Sequence, residues 1–470
     1  MAAAAAAEGT EAEAGAEGSE AGAEGSEAGA EEGDGDEEAL KRLEELVTEL
    51  HRFRDRLPLT SDPKGDPNDP KGEPKSDTKG DHEATLEQEM EKTLRLMEEV
   101  HVSQQGRGRA LVLRAEALGV CPTAAPQVEQ TLSRAVKLDP GLASAWIRLG
   151  ELKWGQGDLE GARACFMGAL AHGAEPRAHR LLSVVLRAGG AGGGPARELA
   201  QAEAAVRCDP RDGASWYVLG NAYVSLFFAG GQSPEAARRA LGAYAQAERV
   251  DPEAANNPDL HLNRATLLQY EERFGAALEG LSRAAALAPG WAEPRRRHAH
   301  LLDFLSRLCA ALANRPPPRG KRRRSRAEPA EPPPCSPPLP ALSPAPLSEL
   351  RPGPNPRRAL IGRVLFTCSP EGRVPYAVGL ADGAGGVAAL TVYNAAPDWG
   401  VAVGDAVAVP RPCLKHHVHQ HHGQTFSFAG VRVPSPLSLV INGRRPPGSA
   451  LAPARLLLRA DPAPAPPPAP

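Results

Sequence analysis

The stretch AWIRLGELKWGQGDLEGARACFMGAL, residues 145–170, carries the pattern that decides the fold. Its large apolar and small residues recur every three or four positions, the spacing that places side chains on one face of a helix. They are Trp146, Leu149, Gly150, Ala162, Phe166 and Ala169. A second stretch, SWYVLGNAYVSLFFAGGQSPEAARRALGAYAQAERVDP at residues 215–252, repeats the order with an insertion around FFAGGQSP. The corresponding residues there are Trp216, Leu219, Gly220, Tyr223, Ala240, Tyr244, Ala247 and Pro252.

This order of residues is the tetratricopeptide pattern W-x2-L-G-x2-Y…A-x3-F…P, which specifies a pair of helices per repeat. Three weaker copies end in LSRAVKLDP at Pro140, AEAAVRCDP at Pro210 and LSRAAALAP at Pro289. Small residues such as Gly150 and Gly220 let the paired helices approach closely, and the terminal proline stops the second helix. Because one pair cannot bury its apolar face, the pairs must stack into a superhelix with a concave surface.

The segments before the repeats differ sharply in composition. Residues 1–36 contain eleven acidic and no basic residues, which predicts a disordered acidic tail. Leucine, valine and phenylalanine then recur at helical spacing and predict a helix over 37–57. Residues 58–83 are rich in Pro, Gly, Asp and Lys and predict a disordered insert. We expect the repeat array itself, with a capping helix at its end, to cover 84–314.

The composition of the chain changes after the repeats. Residues 315–356 form a Pro-rich linker that contains RGKRRRSR at 319–326. Short runs of Val, Gly and aromatic residues then alternate with turn residues over 357–445. That spacing predicts a small barrel like the oligonucleotide/oligosaccharide-binding (OB) fold. Residues 446–470, ending APAPAPPPAP, predict a disordered tail. The predicted fold class is therefore α + β multidomain, an α-superhelix followed by an OB-like β-barrel.

Composition limits the classes of function. The seven cysteines are dispersed without a Cys-x-x-Cys pair, which favours reduced thiols inside a cell over a disulfide framework. No run approaches the ~18 apolar residues that predict a membrane span. The Ala-, Glu- and Gly-rich N-terminus has no basic region of the kind that begins a secretory signal, so we expect none. We expect a protein of the cytosol or nucleus with no membrane partner. The sequence contains no Walker loop, no G-x-S-x-G, no H-E-x-x-H and no G-x-G-x-x-G between a strand and a helix, so we expect no enzymatic activity.

Several longer stretches make the sequence similar to a known family. They are ELHRFRDRL, EMEKTL, LSRAVKLDP, NPDLHLNRATL, GAALEGLSRAAAL and VPYAVGL. Together they resemble the family of tetratricopeptide repeat protein 5, also called Strap, over about 37–110, 125–315 and 357–445.

The resemblance implies a non-enzymatic adaptor with two roles. One is recognition of the nascent N-terminal Met-Arg-Glu segment of α- and β-tubulin near the ribosome exit tunnel, followed by recruitment of mRNA-decay effector machinery. The other is a nuclear, stress-responsive role that supports histone acetyltransferase coactivators and p53 pathway proteins. A third alternative, binding of nucleic acid by aromatic residues of the barrel, rests on the OB-like strands alone. In a small barrel such aromatic residues belong more often to the core.

Candidate peptide-binding residues follow from helix geometry and from the resemblance. Counting the Trp as the fourth residue of a repeat, the positions that face the concave surface are held by Arg148, Glu151, Arg187, Asn221, Asp259 and Asn263. The alternative for each is a solvated helix face. The resemblance implies that Arg187 meets the tubulin Glu, and that Asp259 and Glu293 meet the tubulin Arg. Asn221 and Asn263 can bind a peptide backbone, because an amide both donates and accepts. Arg187, as a surface residue, is expected to be replaceable at little cost in stability.

Two further clusters carry unusual chemistry. Lys321, Arg322, Arg323 and Arg324 suit a solvated linker or a nuclear-localisation signal, and the resemblance implies that this segment contacts ribosomal RNA. The stretch CLKHHVHQHHGQTF, residues 413–426, holds five of the thirteen histidines. On a strand His417, His419 and His421 share one face. No second group of ligands is visible in the barrel, so we expect a solvated edge hairpin, no metal and no cofactor.

Overall fold

The structure, a computed structural model, describes residues 24–57, 78–189, 194–229, 231–314, 342–370 and 374–452. The chain divides into two compact units, residues 1–175 and 176–470. Repeat helices occupy the described part of the first unit, and the second holds further repeat helices together with the barrel. No described helix combines the length and the apolar character that a membrane crossing requires.

The first unit contains six α-helices in its described residues. They are α1 Glu24–Arg56, α2 Thr78–Glu98, α3 Arg107–Leu118, α4 Ala125–Leu138, α5 Ala143–Gly155 and α6 Leu159–Ala171. The apolar residues that predict the 37–57 helix lie in its core, with Leu40, Leu43, Val47 and Leu50 buried.

Helices extend into two segments that the sequence predicts to be disordered. Helix α1 begins at Glu24, inside the predicted tail 1–36, and α2 begins at Thr78, inside the predicted insert 58–83. Alanine and glutamate have high helix propensity, so a helix nucleated by the buried seam of α1 extends backwards through them. The Asp36 carboxylate accepts a hydrogen bond from the Ser103 backbone N–H at 2.6 Å, which ties this helix to the segment before α3. Residues 1–23 and 58–77 lie outside the described part of the chain.

The second unit continues the repeats with seven α-helices in its described residues. They are α7 Pro176–Ala188, α8 Gly194–Cys208, α9 Gly213–Ala229, α10 Pro234–Val250, α11 Pro258–Tyr270, α12 Phe274–Leu287 and α13 Ala292–Ala313. Each helix packs against the next, and α7 and α9 also touch, as do α9 and α11. Helix α13 takes the place predicted for the capping helix.

The small and large residues of the two strong repeats pack as predicted. A Cβ atom at Gly150 would lie 2.5 Å from the Phe166 ring, and one at Gly220 would lie 2.5 Å from the Tyr244 ring. Such distances are far shorter than van der Waals contact, so only glycine permits the observed approach. The Trp146 indole N–H donates to the Pro140 carbonyl and that of Trp216 to the Pro210 carbonyl, both at 2.9 Å. The repeated tryptophan therefore anchors its helix to the turn before it.

The barrel contains nine strands in its described residues. They are β1 Ser343–Pro344, β2 Gly353–Pro354, β3 Arg358–Thr367, β4 Tyr376–Asp382, β5 Val387–Val392, β6 Ala406–Pro410, β7 Cys413–His421, β8 Gln424–Val433 and β9 Val440–Ile441. The order in the sheet is β2-β7-β8-β5-β4-β3-β6-β9, and β1 pairs with β3. The β5–β8 and β1–β3 pairs are parallel and the others are antiparallel. Inward-facing Leu360, Val378, Leu390 and Val431 form its centre.

The barrel is longer at both ends than the predicted 357–445. Within the predicted linker 315–356, β1 pairs with β3, and the buried Asn355 amide donates to the Arg351 and Gly353 carbonyls at 2.9 Å. Within the predicted tail 446–470, Ala450 is buried and its carbonyl accepts from the Ala396 N–H at 2.8 Å. These ends consist of turns and two-residue strands, which have no alternating pattern to detect. Residues 315–341 and 453–470 lie outside the described part of the chain.

Candidate functional site

A polar cluster joins helices α9, α10 and α11 of the second unit. The Asn221 side-chain oxygen accepts hydrogen bonds from the Tyr244 hydroxyl at 2.7 Å and from the Asn263 amide at 3.2 Å. Asn221 is buried and Asn263 is half-buried. The structure thus brings together the two asparagines predicted to bind a peptide backbone. Because Asn221 is held by its neighbours, Asn263 is the more available of the two for a ligand.

The Tyr217 side chain connects this cluster to both charged residues expected in the groove. Burial and, after it, the negative charge of Asp259 raise the pKa of Tyr217 to about 12. Hydrogen bonds with Asn221 and Asn263 and the positive charge of Arg187 act in the opposite direction. Arg187, Asp259 and the two asparagines therefore all influence one tyrosine hydroxyl, although they come from three different helices.

Arg187 has a partner within the protein. Its guanidinium donates to the Glu198 carboxylate on α8 at 3.2 Å, and the Ser225 hydroxyl donates to the same oxygen at 3.2 Å. The Glu198 side chain is only 3% exposed, and burial raises its pKa to about 7 in spite of the Arg187 charge. The expectation that Arg187 is replaceable at little cost in stability is therefore wrong for a change to Glu. That change would place a second carboxylate next to the buried Glu198 carboxylate.

Glu293 lies in the first turn of α13 and is paired within its own helix. The Arg297 side chain donates to it at 2.6 Å, and Arg296 also donates to it. Burial alone would raise the pKa of Glu293, but these two arginines lower it overall. Arg297 also donates to the Thr266 hydroxyl of α11 at 3.1 Å, so Glu293 is held beside α11. A ligand guanidinium that binds Glu293 has to share the carboxylate with these arginines.

The remaining predicted residues lie in the first unit or outside the described part of the chain. In the first unit, Arg148 pairs with Glu116 at 2.6 Å and with Glu151 at 3.7 Å. The first contact holds α5 to α3, and the second lies within α5. The basic residues Lys321, Arg322, Arg323 and Arg324 lie outside the described residues.

Glu198, Tyr217 and the Tyr244 hydroxyl belong to the cluster but were not predicted as functional residues. Glu198 carried a detectable signal: it occurs with Ala202 and Ala205 at the helical spacing of the buried face of α8. A charged residue at a core position indicates a buried partner. The two tyrosines carried no comparable signal, because their rings also fill space between the helices.

A second polar cluster joins the turn between α11 and α12 to the barrel, and we call it the junction. At its centre the buried Glu272 carboxylate accepts hydrogen bonds from the Thr391 hydroxyl at 2.6 Å and the Tyr393 hydroxyl at 3.2 Å. The Lys415 ammonium is 3.3 Å from the carboxylate and the Arg432 guanidinium 3.9 Å. One carboxylate thus fixes three strands of the barrel to the repeats.

The histidine-rich strand β7 packs against the repeats at the same junction. The structure confirms the predicted hairpin, since β7 pairs with β8 through a turn at His422 and Gly423. The predicted solvation is wrong for His417 and His421, which are 8% and 7% exposed. His417 stacks on Phe428 with ring centroids 4.7 Å apart, and lies 5.3 Å from the Phe274 ring of α12. Burial lowers the pKa of His417 to about 4.

The end of this hairpin meets helix α13. The His421 Nε2 atom is 2.7 Å from the Nε2 atom of His298. No local pattern connects these two residues, because 123 positions separate them. The aromatic residues of the barrel strands are not exposed. Tyr376 lies in the core of the barrel, Tyr393, Phe426 and Phe428 are buried among residues of the repeat helices, and Phe366 is half-buried.

Fold and site together define a class: a helical-repeat adaptor for protein interactions, with an OB barrel fixed to the end of the repeats. Comparison with known proteins agrees. Residues 341–455 match the family model described as the tetratricopeptide repeat protein 5 OB fold domain. Tetratricopeptide repeat protein 5 of Bos taurus is 44% identical over 429 residues, covering 88% of this chain and 94% of the relative. The Homo sapiens protein of that name is 43% identical over 427 residues, covering 87% and 94%. The chain belongs to the tetratricopeptide repeat protein 5 family.

The repeats alone are also similar to solved structures. A thermophilic TPR protein of Thermus thermophilus is 22% identical and has a TM-score of 0.33, with 43% of this chain and 99% of that chain covered.

Proposed function

We propose that this protein recognises the nascent N-terminal Met-Arg-Glu segment of α- and β-tubulin at the ribosome and triggers co-translational decay of tubulin mRNA. In this proposal it acts without enzymatic activity of its own. The observation that carries the proposal is the hydrogen bond between Asn263 and Asn221 at 3.2 Å, beside a tyrosine, Tyr217, whose pKa the opposite charges of Arg187 and Asp259 both influence. A peptide with adjacent Arg and Glu side chains needs an anion and a cation close together, with amides between them for its backbone.

Each charged group has a definite task in this proposal. Asp259 and Glu293 receive the arginine of the peptide, and Arg187 receives its glutamate, since a guanidinium can form two parallel hydrogen bonds with a carboxylate. Asn263, and to a lesser extent Asn221, bind the peptide backbone. Asp259 lies in the first turn of α11, where its backbone N–H donates to the Asn257 side chain at 2.9 Å. This cap holds the residue in place before any ligand arrives.

The pairing of Arg187 with Glu198 makes the site responsive to a ligand carboxylate. Because the pKa of Glu198 is about 7, that carboxyl is partly protonated at neutral pH and leaves Arg187 incompletely neutralised. An arriving peptide carboxylate then takes over the charge of the guanidinium, and protonated Glu198 remains a hydrogen-bond donor or acceptor beside it. This exchange avoids leaving two buried carboxylates on one arginine.

The other partners belong to the proposal as well. Lys321, Arg322, Arg323 and Arg324 dock on the ribosome near the exit tunnel through phosphate groups, which respond to charge density more than to side-chain register. An mRNA-decay effector binds elsewhere on the protein. These activities take place in the cytoplasm, and a nuclear pool is expected for the competing role with histone acetyltransferase coactivators and p53 pathway proteins.

The first test uses the purified full chain and a synthetic peptide that begins Met-Arg-Glu. Asp259→Asn removes one charge from the site, and Asp303→Asn removes the same charge from an exposed position on α13. We expect Asp259→Asn to weaken binding at least tenfold, because a charged hydrogen-bonded pair is lost in a partly desolvated groove. Asp303→Asn should bind normally. A peptide with its Arg changed to Gln should bind both variants alike, and equal loss in the two variants with the original peptide would refute the site.

The second test separates the tubulin role from the nuclear role. Translating ribosomes that carry a tubulin N-terminus are incubated with the protein and pulled down. The double variant Arg322→Glu, Arg324→Glu should lose ribosome association yet keep the peptide affinity of the wild-type protein. Asp259→Asn should lose both peptide binding and selective capture. If neither variant changes ribosome capture while both alter activation of stress genes, the nuclear role replaces the tubulin role.

A further inference from the structure

Three histidines from two parts of the chain come together where helix α13 meets the end of the β7–β8 hairpin. His298 is on α13, His421 ends β7, and His422 forms the turn that follows. Their candidate ligand nitrogens all lie within 4.8 Å of one another. The ring centroids of His421 and His422 are 4.2 Å apart, and those of His298 and His422 are 5.9 Å apart. Among the described residues, this is the one cluster of three such groups close enough to share an ion.

The arrangement leaves each imidazole able to act as a ligand. His421 is buried, His298 is half-buried and His422 is exposed, so the cluster has a dry side and an open side. The hydrogen bond between His298 and His421 joins their two Nε2 atoms at 2.7 Å, so one ring donates a proton and the other accepts it. A bound ion replaces that proton, which moves to Nδ1 of the same ring. The neutral imidazole is a common ligand of divalent transition metals.

We propose that His298, His421 and His422 form a binding site for a divalent transition-metal ion, zinc in the cell, which clamps helix α13 to the β7–β8 hairpin. Three nitrogen ligands leave a fourth tetrahedral position, which water fills on the exposed side beside His422. Two nitrogens on one zinc ion lie about 3.3 Å apart, given Zn–N bonds of ~2.0–2.1 Å. The Nε2 atoms of His298 and His421 therefore need to separate by only about 0.6 Å, within the reach of small side-chain rotations.

The proposed ion has a specific structural consequence. It joins the last helix of the repeats to the barrel, four residues further along β7 than His417, whose ring lies 3.9 Å from the Glu272 carboxylate. An ion that binds the docked arrangement and not the separated one stabilises the docked arrangement in proportion to its concentration. This proposal departs from the expectation of no metal site, because the sequence places His298 far from the hairpin.

The experiment compares three forms of the full chain after treatment with a chelator and removal of the chelator. The forms are the wild type, His298→Gln and His416→Gln. His416 is on the same strand but exposed on its other face, so its change removes one histidine without touching the cluster. Zinc chloride is titrated into each form by calorimetry with the thiols kept reduced, and thermal unfolding is followed with and without zinc. Zinc that binds the exposed Cys208 contributes equally to all three forms.

We expect the wild type and His416→Gln to bind one zinc ion at the cluster and to unfold at a higher temperature with zinc than without it. His298→Gln should bind that ion at least about tenfold more weakly, since even changes outside the ligand shell cost this much. It should lose the zinc-dependent rise in unfolding temperature. Circular dichroism of the metal-free proteins checks that both variants fold. Equal zinc affinity in His298→Gln and the wild type, or no saturable binding in the wild type, would overturn the proposal.

Discussion

Two buried glutamates in the second unit illustrate two different uses of charge. The Glu198 side chain is 3% exposed and the Glu272 side chain 2%. Glu198 has one arginine and one serine on one of its oxygens, and burial raises its pKa to about 7. Glu272 has two hydroxyl donors, a lysine and an arginine around its two oxygens.

The difference follows from what each carboxylate does. A buried charge is stable only when its partners replace the water that it loses. Glu272 has such partners from the barrel and serves to hold two folded parts together. Glu198 has fewer, and its arginine is one that a ligand is proposed to use. We infer that an incompletely paired buried carboxylate is a useful indicator of a binding surface, whereas a fully surrounded one indicates a structural joint.

The largest effect is expected at Glu272. Glu272→Gln keeps the shape of the side chain and removes its charge, so Lys415 and Arg432 lose their common counterion. Breaking a buried ion pair from one side costs about 3–5 kcal/mol, and we expect a loss of that size in the free energy of unfolding. Guanidinium unfolding measures it. Glu271→Gln, one position earlier and less buried, is the matched control and should change the free energy by less than about 0.5 kcal/mol.

The second prediction concerns Glu198 and its dependence on pH. The folded state raises the pKa of this group from 4.5 to about 7, so the folded protein keeps the proton that the unfolded chain has released. The stability from this group is complete below pH 4.5 and is lost as pH rises through 7. Relative to Glu198→Gln, the wild type should lose about 3 kcal/mol between pH 4.5 and pH 8. Unfolding of both proteins at a series of pH values tests this, and parallel curves would contradict it.

The third prediction concerns His417, where the direction is reversed. The pKa of His417 is lowered from 6.5 to about 4, chiefly by burial. The charge of Glu272 opposes this shift, and Lys415, His419 and His416 add to it. Between pH 6.5 and 4 the unfolded chain therefore binds a proton at this histidine and the folded protein does not, so stability is lost as pH falls from 6.5 towards 4. Relative to His417→Gln, the wild type should lose at most about 3 kcal/mol over that interval. Unfolding of both proteins at a series of pH values measures this. An equal fall in the free energy of unfolding of the wild type and the variant between pH 6.5 and 4 would rule it out.

Whether the sequence predicts a feature depends on how far apart along the chain its contacting residues lie. Trp146, Gly150 and Phe166 belong to one repeat, so a local pattern specified both the helices and their close packing. The partners of Glu272 cannot be found in that way, since Thr391 and Tyr393 lie 119 and 121 residues further along the chain. Nothing in the local sequence of a turn between helices shows that a barrel strand will cover it.

The candidate site lies between these two cases. Arg187, Asn221, Asp259 and Asn263 were predicted because the repeat fixes which helix positions face the same surface. Asn221 and Asn263 are hydrogen-bonded to each other, and Arg187 and Asp259 are close enough to Tyr217 to act on its pKa. The role of all four residues in peptide binding stays a prediction. The pairing of Arg187 with Glu198 was missed, because the repeat pattern records the size of buried side chains and takes no account of their charge.

The smallest loss of stability is expected at Lys415, the more exposed of the two cations near Glu272. The Arg432 side chain is 17% exposed, donates to the Tyr270 carbonyl at 2.5 Å and lies 4.0 Å from the centre of the Tyr393 ring. The Lys415 side chain is 36% exposed, and exposed ion pairs contribute about 0–1 kcal/mol. We therefore expect Lys415→Gln to cost under about 1 kcal/mol.

Arg432→Gln is the matched variant for Lys415→Gln, because each replaces one cation beside Glu272 with a neutral amide. It removes a buried guanidinium that fills space between two aromatic rings and satisfies a carbonyl, so it should cost about 3 kcal/mol or more. Unfolding of the two variants under identical conditions measures the ratio. If Lys415→Gln costs as much as Arg432→Gln, the number of charges around Glu272 decides the strength of the junction. If the costs differ as expected, burial and packing of the cation decide it, because both variants remove the same charge from the same carboxylate.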